Sequence, residues 1–257
     1  MAGSKRAPGR SGAAADAGDA TAGTPRAALT WRVLYRALAA WAPGLTPDGW
    51  WGITDPYERA WGTVLVQNTA WTNARRALEG LRVRGLTAPD ALEVADRAAV
   101  EEAIRPAGFY RQKASTLQRL AAFLRRTPLA QPSDVASVEA LRRVLLAIKG
   151  VGEETADTLL LYVFGLPSFI GDAYTRRLAE RLWGRPFAYG DVRRAVLTEG
   201  FALDELALFH ALIVEFGKAV CRKNAPSCAD CPLADACDFT MCVASGATGV
   251  EKLERSR

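Results

Sequence analysis

From Trp31 onward, apolar residues recur every three or four positions, the period of a helix that buries one face. The spacing predicts helices over 31–41, 57–71, 73–83, 91–104, 111–124, 138–148, 153–164, 173–183, 189–197 and 204–220. Gly165 and Gly184 stand where helix C-caps belong, and Pro89, Pro132 and Pro186 fall in the predicted connections. The one strand-like stretch, 163–170, is interrupted by Gly165 and Pro167, and no segment repeats. The pattern predicts an all-α fold.

Composition narrows the picture. With 257 residues, 49% of them apolar, the chain can bury a full-sized core as one large domain or two modest ones. No run of about 18 apolar residues is present, so no membrane partner is expected. Residues 1–28 are rich in Ala, Gly, Ser, Pro and Thr, lack the apolar stretch of a signal peptide and predict a disordered tail. A cytoplasmic protein is expected, monomeric because nothing in the sequence requires more. The net charge of +5 hints at an anionic partner, but the first 28 residues supply +2 of it, so charge alone does not identify nucleic acid.

The strongest chemical signal lies near the C-terminus. Cys221, Cys228, Cys231 and Cys237 form a C-x6-C-x2-C-x5-C pattern, with Pro226 and Pro232 turning the chain between them. Four soft thiolates so close in sequence can surround one metal centre. Two disulfides would need an oxidising compartment. Zinc would favour two closely paired knuckles, whereas only one close pair is present. An iron–sulfur centre suits the spacing best. Cys242 stands outside the pattern, as a free thiol or tail residue.

This spacing resembles the C-terminal cluster loop of the endonuclease III family. The resemblance implies a [4Fe–4S] cluster on the four cysteines, structural in role, with Arg222 and Lys223 contacting DNA phosphates. Upstream, 145–156 reads LLAIKGVGEETA, two helical patterns meeting at Gly150-Val151-Gly152. The bland reading is an ordinary helix–helix turn. Together with the cysteine loop, the segment resembles the hairpin of the helix-hairpin-helix (HhH-GPD) DNA glycosylase superfamily, whose backbone amides hold a DNA phosphate. Asp172 follows, within IGDAYTRR, at a natural N-cap position. The resemblance gives it the catalytic role, a carboxylate that stabilises positive charge on the sugar and orients or deprotonates water.

Two departures refine this. The family's lyase members carry an attacking lysine two positions after the second glycine; here that position is Glu154, which cannot form an imine. Three blocks, Trp50-Trp51 with DPY at 55–57, VQNTAW at 66–71 and IRPAGFYRQKA at 104–114, resemble the 3-methyladenine DNA glycosylase III branch. That likeness implies a base pocket walled by Trp50, Trp51 and Trp71, and a wedge at Gln67 that fills the gap left by the flipped base. Tryptophans also serve cores, as Trp31, Trp41 and Trp61 are expected to do. His210, the only histidine, sits in an apolar helix and reads as a satisfied core residue.

The expected architecture is a two-domain helix-hairpin-helix glycosylase fold. Residues 56–166 form a central helical domain ending in the hairpin, and 30–55 with 167–240 form a second domain carrying the cluster loop, followed by a flexible tail at 241–257. The expected activity is monofunctional removal of alkylated purines such as 3-methyladenine from damaged double-stranded DNA, opening base excision repair at the nucleoid. An endonuclease III-like glycosylase–lyase for oxidised pyrimidines and a non-enzymatic iron–sulfur DNA-binding protein remain as alternatives.

Overall fold

The structure is a computed structural model that describes residues 29–127, 129 and 135–240. The tails predicted at 1–28 and 241–257, together with Pro132 and Cys242, lie outside the described residues. The chain runs through α1 (Trp31–Trp41), α2 (Pro47–Trp51), α3 (Pro56–Leu65), α4 (Trp71–Val83), α5 (Pro89–Val94) and α6 (Arg97–Ala103). It continues through α7 (Tyr110–Arg126), α8 (Val135–Leu146), α9 (Glu153–Tyr162), α10 (Ala173–Trp183), α11 (Tyr189–Thr198) and α12 (Leu203–Ala219). Short 3₁₀ turns lie at Arg105–Ala107 and Ala234–Ala236. No strand occurs among the described residues, so the all-α expectation holds.

One predicted helix proves shorter and another proves to be two. The 57–71 pattern breaks after Leu65, because the carbonyl of that residue accepts from the buried Lys113 ammonium (2.8 Å) and Asn68 turns left-handed at φ 54°. The 91–104 pattern breaks at Asp96, whose side chain caps α6 by accepting from Ala99 N–H (3.0 Å). Pro89 is the first residue of α5, where its missing N–H costs nothing, rather than part of a connection. The short α2 was not anticipated: its five residues are too few to display a period, yet they deliver Trp50 and Trp51.

The core is organised by α12, which is apolar nearly all round and is covered by α1, α2, α9 and α10. Phe209 and Phe216 are fully buried on it, each contributing roughly 1.5–3 kcal/mol. On the other side of α9, α3 packs against α4 and α7, while α5 and α6 lie on α7. Thus α9 touches α3, α8 and α12 and stands between the two groups of helices.

One buried charge network fixes the connection that follows α9. Asp157, fully buried, accepts two bonds from Arg142 (2.9 Å each), one from Arg193 Nε (3.0 Å), one from Tyr189 Oη–H (2.8 Å) and one from Ser168 Oγ–H (2.7 Å). The Ser168 bond anchors the 163–171 connection. At its end Gly171 presses on the start of α11: a Cβ there would lie 2.8 Å from Tyr189 O. The next residue is Asp172.

Candidate active site and cysteine loop

Asp172 is the N-cap of α10, as its sequence position predicts. Its Oδ1 accepts from Thr175 N–H (2.8 Å) and lies 2.9 Å from the Thr175 hydroxyl. Its Oδ2 faces His210 Nε2 at 3.6 Å, and only 8% of the residue is exposed. Burial works to raise the carboxyl pKa, but the His210 imidazole and the two Thr175 contacts outweigh it and hold Asp172 below the usual carboxylate range. A carboxylate that stays ionised in a low-dielectric setting is well suited to stabilising a cation beside it.

Aromatic rings surround this pair. Trp50 meets His210 edge-on (5.6 Å between centroids), Trp51 packs between Trp50 and Trp71, and Tyr162 lies under both Trp50 and Trp51. Trp50 donates its indole N–H to Glu215 Oε1 (2.7 Å), which also receives Lys218 (2.8 Å). The three tryptophans singled out from sequence therefore share one cluster with Asp172. Trp50 and Trp71 are half-buried and Trp51 buried. Trp61, by contrast, is fully buried and donates to Thr87 O (2.8 Å), a core residue as expected.

The hairpin forms at the α8–α9 connection. Gly150 turns at φ 99°, and a Cβ there would lie 2.0 Å from Thr116 Oγ1, so no other residue fits. Gly152 needs no such exemption: its φ is −96°, and a Cβ would meet nothing within 4 Å. The open space lies at the N-terminus of α9, where no side chain caps the first amides. Val151 is buried and donates its N–H to Ile148 O (2.9 Å). Gln67 ties the α3–α4 turn to this hairpin, donating to Thr155 Oγ1 (2.9 Å) and Gly150 O (3.3 Å), while neighbouring Asn68 is exposed.

Glu154 occupies the first turn of α9 with Glu153, which receives Arg142 (3.2 Å). Its side chain reaches solvent, yet the protein packed around it, and then the Asp172 charge, push its pKa up against the pull of His210 and Arg176. Glu154 thus lies near enough to Asp172 for the charge of one to act on the other.

The four cysteines line a single hollow together with Arg181 and Phe239. Among the described residues no three ligating side chains converge tightly enough for one metal ion, these four included. Zinc would hold every sulfur at about 2.3 Å from a single centre; a cube of four irons spreads its thiolates wider. Four thiols in one hollow are a donor set that suits the larger group. Arg181 donates to Cys221 Sγ (3.2 Å), to Arg222 O (2.8 Å) and to Lys223 O (3.0 Å), and its guanidinium lies 4.8 Å over Phe239. Arg177 donates to Cys221 O (3.1 Å) and Gly217 O (3.0 Å). Two arginines of α10 therefore join the helix that Asp172 caps to the cysteine loop.

Arg222 stands exposed at the start of the cysteine loop. Its guanidinium donates to Ala219 O, Ala225 O and Ser227 Oγ, bracing the loop from within. Lys223 is exposed beside it. Sequence reasoning also missed the partners of Asp172. His210 is buried as predicted and Nδ1 lies 2.9 Å from Tyr162 Oη, but Nε2 is unpartnered and faces the aspartate. A lone histidine in an apolar helix was the available signal; no spacing links it to Tyr162 or Thr175.

Comparison with known proteins agrees with this geometry. Residues 61–196 match the HhH-GPD superfamily base excision DNA repair protein family. A Methanocaldococcus jannaschii protein provisionally named a DNA repair glycosylase is 36% identical over 199 residues, spanning 74% of this chain and 89% of that one. Endonuclease III of Sulfolobus acidocaldarius is 31% identical over 182 residues, spanning 70% of this chain and 80% of its own. In fold, the chain is similar to endonuclease III in a non-covalent DNA complex (TM-score 0.68, 23% identity, 84% of this chain and 99% of that one). It is also similar to the H. pylori 3-methyladenine DNA glycosylase bound to 1,N6-ethenoadenine (TM-score 0.58, 22% identity, 74% of this chain and 98% of that one). The chain belongs to the HhH-GPD superfamily of base excision DNA repair proteins.

Proposed function

We propose that this glycosylase is monofunctional and removes alkylated, positively charged purines from double-stranded DNA by hydrolysis. The observation that carries this reading is Glu154, a carboxylate in the first turn of α9 at the hairpin position where a lyase needs an amine, near enough to Asp172 to feel its charge. An alkylated purine carries positive charge, so rings such as Trp50 and Trp71 stabilise it by stacking, and two carboxylates attract it. A neutral oxidised pyrimidine gains neither.

In this reading DNA lies across the α8–α9 hairpin, its phosphate in the open space beside Gly152, with Lys223 contributing charge from the cysteine loop. The target nucleotide leaves the stack and enters between the helices around α3 and those around α12, which we read as two domains. Of the neighbouring pair, Asn68 has the free reach to fill the gap in the duplex, while Gln67 steadies the hairpin. As the C1′–N bond breaks, the base departs with the bonding pair and becomes neutral. Water bonds to C1′, and its proton passes to ionised Asp172 and then to solvent.

Cys221, Cys228, Cys231 and Cys237 are assigned to a [4Fe–4S] cluster, which when bound supplies a cross-link for the loop rather than a step of the reaction. Iron analysis of the purified protein should return about four irons per chain.

The test is release of free bases from methylated duplex DNA, with borohydride trapping in parallel. Release of methylated purines without a trapped protein–DNA crosslink supports the proposal. Trapping on oxidised-pyrimidine DNA, with Lys149 as the nearest candidate amine in sequence, would replace it with the glycosylase–lyase reading.

A further inference from the structure

Among the described residues, two buried side-chain nitrogens have no hydrogen-bond partner, Trp51 Nε1 and His210 Nε2. Both belong to residues of the Asp172 cluster. A buried polar atom left unpaired costs about 1–3 kcal/mol, and such atoms gather where chemistry needs them. His210 is the more informative, because its tautomer follows from its neighbours.

Ala207 O, Tyr162 Oη and His210 Nδ1 stand in a row, with contacts of 2.8 Å and 2.9 Å. Each contact needs one hydrogen. The carbonyl has none and the phenol has one, so Tyr162 donates to Ala207 O and His210 Nδ1–H donates to Tyr162. Burial, and next the Asp172 charge, push the Tyr162 pKa well up, so the phenol keeps its hydrogen. With Nδ1 protonated, Nε2 of a neutral ring presents a bare lone pair to Asp172 Oδ2 at 3.6 Å. Two lone pairs face each other unless a proton joins them.

We propose that His210 is the positioning residue of Asp172: its Nε2 carries the proton that orients Oδ2, and the excision-competent state is imidazolium beside carboxylate. This rests on Asp172 being the catalytic carboxylate. In the free protein the contact is slightly long for a hydrogen bond, as such contacts often are before DNA closes the site. Other charged groups face the pair from every neighbouring element. Glu154 and Tyr162 lie on α9, Arg176 on α10 and Arg59 on α3. From α2 comes the ring of Trp50, held by Glu215 of α12. Glu154 and Arg176 oppose each other, which leaves the proton on His210 as the group that decides the Asp172 orientation.

His210 is the only histidine, so its imidazole gives one unambiguous NMR signal in ¹⁵N-histidine-labelled, cluster-loaded protein. Both ring nitrogens should carry hydrogen under the conditions of excision, and Asp172→Asn should leave Nε2 bare by removing the anion that faces it. A bare Nε2 in the wild type, or the same ring hydrogens in Asp172→Asn as in the wild type, overturns the proposal, whatever the substrate proves to be. The kinetic arm uses single-turnover excision against pH. The wild type should lose about tenfold in rate on the alkaline side, where the proton between Nε2 and Oδ2 is lost. His210→Gln, whose amide donates at the same place without titrating, should keep the rate within about threefold and abolish that alkaline limb; His210→Leu should lose about 10- to 100-fold throughout. A His210→Gln profile with the wild-type limb intact overturns the proposal. Should excision of every tested base be absent in the wild type, the substrate reading fails while the NMR arm still decides this one.

Discussion

Asp157 and Asp172 are both buried, lie on either side of the 163–171 connection and are surrounded in opposite ways. Asp157 accepts from Arg142, Arg193, Tyr189 and Ser168, which together saturate both oxygens. Asp172 has one oxygen held by Thr175 and the other facing an unpartnered nitrogen. A fully paired charge in the interior can only hold things together, because any change in its protonation or position leaves several donors orphaned. A half-paired one can still bind, orient or accept something. The contrast separates scaffold from chemistry without reference to any relative.

Exchanging the two roles by mutation is the sharpest test. Asp172→Asn should lower excision by about 10²- to 10⁴-fold in single turnover at a much smaller cost in stability than Asp157→Asn, since the amide still accepts from Thr175. Asp157→Asn should do the reverse. Leaving Arg142 and Arg193 without their shared anion should cost about 3–5 kcal/mol in urea unfolding, with the folded fraction still excising bases. If Asp157→Asn abolished activity without loss of stability, the division between the two aspartates would collapse.

The pH response divides them next. Asp172 has a folded pKa below its unfolded value near 3.9, so it contributes stability above roughly pH 4, and this is lost as pH falls through the folded pKa. The stability gap between wild type and Asp172→Asn should therefore shrink between about pH 5 and pH 2, read as urea midpoints. The smallest effect is expected from Thr175→Val, which removes the hydroxyl beside Oδ1 but keeps the backbone donor. It should cost about 1 kcal/mol of transition-state stabilisation, a fall of roughly fivefold in rate at unchanged DNA affinity.

Much of this was legible from residue order because its causes are local. Helices α1 and α10 end where their apolar periods end, Gly150 was marked by the turn it must make, and Asp172 by its capping position. The cysteine spacing picked out one hollow, since four thiols so near in sequence cannot stray far apart. Where sequence reading failed, the deciding contact came from far along the chain. The 57–71 helix stops at Leu65 because Lys113, 48 residues further on, takes its carbonyl.

What the sequence alone determined is the set of helices, the hairpin, the cysteine loop and the chemical type of each candidate residue, all properties of neighbours in the chain. Only the tertiary structure decided which of them meet. His210 stands beside Asp172 because α12 packs against α10 and α9, and periodicity records that a face is buried but not what it is buried against. The same packing brought Tyr162 to Nδ1 and so settled which nitrogen of the ring carries hydrogen. Hydrophobic burial chose the partners; the few polar atoms it left facing one another are where the chemistry was assigned.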